Sequence, residues 1–442
     1  MASLSDIPDN SRVHITTRHT SYEGILLPSE SDFVVLKLDS GYNIGIDPKH
    51  ITQAKLVEKQ PASDMPEATS KEQDESLPEL SILHTGGTIA SKVDYETGGV
   101  IARFSPEEIL ELFPELADIA RIDSKLLGNM HSDDFNFSHF NTIASEIHRQ
   151  AKEGQKRFIV TSGTDFLHYL SAALSFMLKD LPVGVLVVGS QRSSDRGSSD
   201  AAMNLICAAQ FLATAEFHGV GVCMHESTED NNCLILPGTN TRKMHSSRRD
   251  AFKPINTTAY ARVDYDNKTV KLLRELPEKR SSSMPGKIEF IGKPGNEDKL
   301  KIGMIHSRPH MHAEEFDIYN DYDALVLVGS GLGHFPVSKT EGTGPDNTKI
   351  HEKIKELAKK IPVVMSTQTI YGRVHLNVYS PARKIKEAGV KGHLSTMTPE
   401  TAYIKIAWLA SNKTKEQAEE LFMTKMIGEL DSIPEEAFLN TR

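Results

Sequence analysis

The chain has 442 residues, of which 38% are hydrophobic and 25% charged, and its formal net charge at pH 7 is −10. That length exceeds what one hydrophobic core usually organises, so two or three domains are expected, with the composition of an ordinary globular protein. The acidic balance speaks against unaided nucleic-acid binding, which normally needs a basic patch; a partner would have to supply the positive surface.

The chain opens M-A-S-L-S-D-I-P-D, with neither a basic n-region nor an apolar h-region, and no later apolar run reaches membrane-spanning length. A cytoplasmic protein without membrane attachment is expected. Residues 1–57 hold short β-rich runs such as Phe33 to Leu38 and Tyr42 to Ile46, punctuated by Asp39-Ser40-Gly41 and Asp47-Pro48. Closely spaced strands with turn chemistry predict a small all-β barrel of SH3 or Sm type. Such barrels often bind RNA, but this one carries five Lys/Arg against seven Asp/Glu, which favours a docking module. Residues 58–79 are rich in Pro, Ser, Glu and Lys and read as a flexible acidic linker.

From residue 80 to 284, strands alternate with helices. Strands are expected at Leu80 to Leu83, Arg157 to Val160, Val183 to Val188, Val220 to Met224 and Cys233 to Leu236. Helices fit Ser105 to Leu112, Ser138 to Lys152, Phe166 to Leu178 and Asp200 to Leu212. That alternation predicts a mostly parallel sheet covered on both faces. The three cysteines (Cys207, Cys223 and Cys233) lack metal-ligand spacing and lie in or beside apolar segments, which predicts buried free thiols. A break at residues 278–286 precedes a smaller α/β unit over 285–430, with strands from Lys301, Ala324 and Val363 and helices over 351–360 and 399–409. Residues 431–442 form a tail.

Chemistry concentrates where apolar strands run into glycine turns. Leu80 to Ser91 reads L-S-I-L-H-T-G-G-T-I-A-S. Gly86 and Gly87 let the backbone bend sharply and approach a ligand, which places Thr88 at the tip of the first core strand with its hydroxyl exposed. Arg157 to Asp165, R-F-I-V-T-S-G-T-D, repeats the design. Alone, a Gly-Thr-Asp is more often a helix cap. Two strand-end threonines in one sheet, one beside a carboxylate, suggest nucleophilic chemistry instead. A threonine hydroxyl needs a neighbouring base, and a lysine held by a carboxylate can serve. Lys243, in G-T-N-T-R-K after another strand, is the candidate, although most lysines are solvated surface charges.

Thr85-Gly86-Gly87-Thr88-Ile89-Ala90, Gly163-Thr164-Asp165 and the Lys243 loop resemble the L-asparaginase family of the two-threonine, bacterial type, over roughly residues 80–430. The resemblance implies an α/β asparaginase-like two-domain core. It implies an acylated Thr88 and a second relay of Thr164, Asp165 and Lys243. Tyr95, in D-Y-E-T-G-G-V, matches the tyrosine of the family's mobile lid, with Gly98 and Gly99 as hinges. Ser132 and Asp133, in N-M-H-S-D-D-F, match residues that hold the α-carboxylate and α-amino groups of Gln or Asn, with Gly87 lining the same pocket.

Two departures speak against a metabolic asparaginase. Ser162 stands where many asparaginases have histidine, and G-S-Q-R-S-S-D-R-G-S-S-D-A-A-M-N-L, over residues 189–205, lacks the Asp-Gly common in the free-standing enzymes. The barrel and linker ahead of the core resemble the D-subunit family of archaeal glutamyl-tRNA(Gln) amidotransferases. That resemblance implies a partner, the amidotransferase E-subunit, which binds Glu-tRNA(Gln) and uses ATP and Mg, and a homodimeric core inside a heterotetramer. This chain would bind no cofactor or metal of its own, and it contains no G-x-x-x-x-G-K-[ST] phosphate loop. The alternative is a free-standing cytoplasmic asparaginase or glutaminase. Gly329-Ser330-Gly331-Leu332-Gly333 is expected to be a structural turn, and His306, His310 and His312 to be ordinary hydrogen-bonded or surface histidines.

Overall fold

The structure is a computed structural model. It describes the chain except residues 1–6, 9–10, 19, 28–32, 39–42, 59–72, 87–88, 90, 94–99, 103–104, 193–196, 279–283, 285, 340–345 and 432–442. The chain divides into two compact units, one of residues 1–71 with 90–103 and the other of residues 72–89 with 104–442.

In the first unit, β1 (Arg12–Thr17), β2 (Ser21–Leu27), β3 (Val34–Leu38), β4 (Asn43–Ile46) and β5 (Ile51–Glu58) form an antiparallel sheet in the order β4-β3-β2-β1-β5. Two register shifts, at Arg12/Val13 and Thr16/Thr17, interrupt the β1–β5 ladder. Bulges of this kind bend and twist a strand, which lets a small sheet wrap its own core. Val13, Ile15, Leu26, Leu36 and Ile46 fill that core. This is the small all-β domain expected from the turn spacing. A hairpin of β7 (Ser91–Val93) and β8 (Val100–Ala102) is grouped with the same unit.

The second unit starts earlier than the composition suggested. Residues 73–79 fall in the expected linker, yet the Gln73 side chain brackets one edge-strand residue. Its Nε2 donates to Ile122 O at 3.1 Å and its Oε1 accepts from Ile122 N at 2.5 Å. β6 (Glu79–His84) then enters an eight-stranded sheet with β9 (Arg121–Leu126), β10 (Arg157–Thr161), β11 (Gly184–Val188), β12 (Gly219–His225), β13 (Asn232–Pro237), β16 (Ala261–Asp264) and β17 (Thr269–Leu272). Their order is β17-β16-β13-β12-β11-β10-β6-β9, with β9 to β12 and β6 parallel and the last three antiparallel.

Helices α1 (Pro106–Leu112), α2 (Phe137–Lys152), α3 (Leu167–Met177) and α4 (Ala201–Thr214) connect these strands. Val185 and Val187 share a core with α2 and α3, while Leu186 and Val188, on the alternate face, are fully buried as well. The strand is therefore covered on both sides, as its unbroken apolar run requires. From β6 the chain leaves through α1 to β9 on one side; from β10 it leaves through α3 to β11 on the other. The carboxyl ends of β6 and β10 thus flank a topological switch point, where open α/β sheets form a ligand crevice.

A second parallel sheet holds β18 (Ile302–His306), β19 (Ala324–Gly329) and β20 (Val363–Thr367) in that order. Leu325, Leu327 and Met365 pack with α5 (Asn347–Lys360) and α6 (Ser380–Glu387). Val326, Val328 and Val364, on the opposite face, join Trp408 of α7 (Pro399–Asn412) in the core of the larger sheet. α7 packs against both this small sheet and α3, and is followed by α8 (Lys415–Leu421). All three cysteines are buried free thiols, as expected. No helix among the described residues is long and apolar enough to cross a membrane.

Candidate active site

The crevice between β6 and β10 gathers most of the described candidate residues. Thr164 and Asp165 occupy the loop after β10, ahead of α3. Lys243 ends β14 (Thr241–Lys243), a three-residue strand paired with β15 (Phe252–Pro254). Lys243 Nζ lies 2.9 Å from Thr164 Oγ1 and 2.7 Å from Asp165 Oδ1. The lysine side chain is only 12% exposed whereas that of Asp165 is 63% exposed, so the amine lies inside and the carboxylate opens to solvent. A hydroxyl, an amine and a carboxylate in direct contact can pass a proton along one line.

Ser132 joins this group. It lies in a short turn, Ser132–Asp134, and is buried, and its Oγ accepts from Asp165 N at 3.0 Å. Gly163 makes that approach possible, because a Cβ there would lie 2.8 Å from Ser132 Oγ. Asp133, next to it, is exposed.

The turn after β6 is locked to the same loops. Thr85 N and Thr85 Oγ1 both donate to Thr161 O, at 3.2 and 2.9 Å. Met130 N donates to Thr85 O at 3.1 Å. Gly86 has φ of 106°, and a Cβ would fall 2.5 Å from Met130 N and 2.6 Å from Met130 O. Glycine is required at 86 for both its backbone angle and the strand of chain crossing over it. Gly87, Thr88, Tyr95, Gly98 and Gly99 lie outside the described residues.

Three supporting residues carry no signal in a linear reading. His84, fully buried at the end of β6, has Nδ1 2.8 Å from Thr161 Oγ1 and Nε2 3.1 Å from Ser124 Oγ, so it ties β6 to both neighbours. Burial pushes its pKa down to about 3, and the ring is neutral. Gly189, just after β11, leaves room for Thr164, whose Cγ2 would be 2.9 Å from a Cβ there. Asp200, fully buried, gathers the loop after Gly189: its carboxylate accepts from Ser190 Oγ at 2.9 Å, Gln191 N at 3.0 Å and Arg192 N at 3.0 Å. Residues 190–192 of the segment that departs from the usual asparaginase pattern are therefore held in place by Asp200.

The decoy motifs resolve as turns and ring contacts. In the glycine-rich loop after β19, His334 N donates to Ser330 O at 2.9 Å, and a Cβ at Gly329 would meet Gly333 Cα at 2.6 Å. The rings of His310 and His312 pack edge to face at 5.0 Å. Among the described residues no set of three or more His, Cys, Asp or Glu side chains is placed to hold a metal ion.

Comparison with known proteins follows the same division of the chain. Residues 79–278 match the family model "Asparaginase, N-terminal", residues 301–422 "Glutaminase/Asparaginase C-terminal domain", and residues 7–57 "GatD N-terminal domain". The chain is 42% identical over 422 residues to the glutamyl-tRNA(Gln) amidotransferase D-subunit of Pyrococcus furiosus, covering 92% of this chain and 91% of that protein. It is 38% identical over 435 residues to the protein of that name from Archaeoglobus fulgidus, covering 97% of each. Among solved structures, the thermostable L-asparaginase from Thermococcus kodakarensis matches with a TM-score of 0.67 and 30% identity, over 80% of this chain and 99% of its own. A probable cytoplasmic L-asparaginase from Campylobacter jejuni shares the fold, with a TM-score of 0.63 and 21% identity over 79% of this chain and all of its own.

Proposed function

This chain belongs to the glutamyl-tRNA(Gln) amidotransferase D-subunit family, and on that premise we propose that it is the ammonia-releasing component of a tRNA-dependent amidotransferase. The observation that carries the chemistry is the contact of Lys243 Nζ with Thr164 Oγ1 and Asp165 Oδ1, beside Ser132. In this reading the substrate is the side-chain amide of Gln or Asn. Thr88 Oγ attacks the amide carbon, and its proton goes to the leaving nitrogen. The C–N bond breaks, ammonia departs, and an acyl ester remains on Thr88. Backbone N–H groups of the glycine turn stabilise the oxyanion. Water then attacks the ester, its proton passing through Thr164 and Lys243 to Thr88 Oγ as the acyl C–O bond breaks, and the side-chain carboxylic acid leaves and ionises.

Ser132 and Asp133 are assigned to the substrate's α-carboxylate and α-amino groups, Gly87 to substrate binding and Tyr95 to catalysis. The support for Ser132 is its hydrogen bond to Asp165 N, which places it beside the proton relay. In this account ATP and Mg belong to a tRNA-binding partner of the E-subunit type, which takes the ammonia to convert Glu-tRNA(Gln) to Gln-tRNA(Gln). The acidic chain, with net charge −10, fits that division of labour. The cellular setting is then the cytoplasm, and the assembly a homodimeric core within a heterotetramer.

A free-standing asparaginase is the second reading, favoured by the match to nearly the whole Thermococcus kodakarensis enzyme. The match of residues 7–57 to a domain ahead of that core weighs against it. Ammonia release from glutamine and asparagine, with and without the partner and Glu-tRNA(Gln), separates the two: strong stimulation supports the ammonia donor, and activity indifferent to both supports the free-standing enzyme.

A further inference from the structure

We propose that Glu400, acting through Arg242, is a positioning residue that sets where Lys243 stands beside Thr164. The inference deepens the proposed amide hydrolysis and rests on it.

The difficulty it answers is mechanical. Lys243 is the last residue of a three-residue strand whose one ladder is with β15. A flexible lysine side chain on so short a hairpin needs its backbone held from elsewhere if its amine is to stay within hydrogen-bond reach of two groups at once. The first turn of α7 supplies that hold at two points. Thr401 Oγ1 donates to Thr239 O at 2.6 Å, and Arg242 Nε donates to Glu400 Oε1 at 3.0 Å. These two bonds hold residues 239 and 242, just ahead of Lys243 in the chain. Thr241 Oγ1, donating to Pro237 O at 2.7 Å, pins the residue between them.

Glu400 is unusual for a purely structural carboxylate. Its side chain is 10% exposed and that of Arg242 27%, so the pair is largely withdrawn from water. Oε1 is engaged, but Oε2 is buried without a hydrogen-bond partner. Leaving such an oxygen unsatisfied carries a desolvation cost, which an apolar residue would avoid. Burial raises the pKa of Tyr169 and lowers that of His168, and nearby Glu400 adds to the first shift and opposes the second; both residues lie on α3 just after Asp165. The hydrogen bond from Arg242 Nε to Glu400 Oε1 holds the strand that carries the neighbouring lysine.

The hold reaches further. Thr398 caps α7, accepting from Thr401 N at 3.2 Å, and Pro399 starts it. The rest of the helix packs on the small sheet and on α3. The smaller sheet is thereby connected through one rigid helix to the proton relay of the larger one.

The test uses the full chain, assayed for ammonia release from glutamine and asparagine alone and with its partner. The variants are Glu400→Ala, Glu400→Gln, Arg242→Met and the double variant Glu400→Ala/Arg242→Met, with Thr164→Val as control. Misplacing the amine by about 1 Å costs on the order of 100-fold. Glu400→Ala and Arg242→Met are therefore each expected to lower kcat by roughly that factor with KM nearly unchanged. The double variant should be no worse than either single one, because both remove the same restraint. Glu400→Gln keeps an acceptor oxygen for Arg242 Nε and should stay within a few-fold of wild type. If Glu400→Ala unfolds at the assay temperature, Arg242→Met carries the test from the more exposed side of the pair. Wild-type kcat in Arg242→Met, a change confined to KM, or losses that multiply in the double variant would each overturn the inference. If Thr164→Val releases ammonia as fast as wild type, it is the amidohydrolase reading that fails, and with it the premise.

Discussion

Lys243 Nζ lies 2.9 Å from Thr164 Oγ1, across 79 positions of sequence, and the same nitrogen reaches Asp165 Oδ1 at 2.7 Å. One amine thus bridges a hydroxyl and a carboxylate that are consecutive in the chain. Removing either end of that bridge should stop turnover while leaving the fold intact, since all three side chains lie at loop or strand ends. Thr164→Val and Lys243→Met are each expected to lower kcat by about 10²- to 10⁴-fold. Far-ultraviolet circular dichroism and the thermal midpoint should remain close to wild type.

Thr88→Val separates the two half-reactions. It should abolish formation of the acyl ester, whereas Lys243→Met, impaired in the second half, should accumulate it. Intact-protein mass spectrometry after mixing with glutamine or asparagine reads the difference. An adduct on Thr88→Val would contradict the assignment of the nucleophile.

Gly86 and Gly154 offer a matched pair. Their φ values are 106° and 107°, but a Cβ at 86 would strike Met130 backbone at 2.5 Å whereas at 154 nothing lies within 4 Å. Gly154→Ala should cost only the backbone strain, about 1–2 kcal/mol. Gly86→Ala should cost roughly 2–4 kcal/mol and displace the turn after β6, with activity falling at least about 100-fold. Denaturant unfolding of the two variants isolates the contribution of the crossing loop.

How much of this was legible in the residues follows from where each constraint lives. Glycine turns, apolar strand runs and the Thr164–Asp165 pair are local patterns, and the parallel core with its strand-end chemistry follows from them. β9, R-I-D-S-K-L, escaped because an edge strand with Asp123 and Lys125 exposed offers little apolar signal. The β14–β15 hairpin is too short to show a period. Gln73 reads as linker, and only the backbone of Ile122 folded beside it makes it part of the core. His84 looks like any strand residue until Thr161 and Ser124 arrive from two other strands.

His84 also predicts an acid limit. Its folded pKa is about 3 against an ordinary value of 6.5, so the unfolded chain binds a proton that the folded one excludes. The neutral ring's contribution is complete above about pH 6.5 and is lost as pH falls toward 3. The slope is up to about 1.4 kcal/mol per pH unit. His168, held down to about 4 mainly by burial, adds to the effect over a narrower window. Urea unfolding at pH 7 and pH 4.5 should show a larger loss for wild type than for His84→Gln. Equal losses would contradict the buried neutral imidazole.

Away from the site, Lys405 and Glu429 form an ion pair at 2.6 Å with both side chains fully buried. Glu429 also accepts from Met426 N at 3.0 Å and Ile427 N at 2.8 Å, and so fastens the segment after α8 onto α7. Glu429→Ala leaves a buried ammonium without its counter-charge and should cost about 3–5 kcal/mol. Lys405→Met/Glu429→Gln, which removes both charges, should recover part of that loss in the same unfolding measurement.

The central claim is that this chain makes ammonia for a partner. The most direct measurement is its rate of ammonia release from glutamine and asparagine, alone and then with the tRNA-binding partner and Glu-tRNA(Gln). Strong stimulation by the complete assembly is expected, and it should be lost in Thr164→Val. Fast release that ignores both partner and tRNA would contradict the donor role and leave a free-standing amidohydrolase.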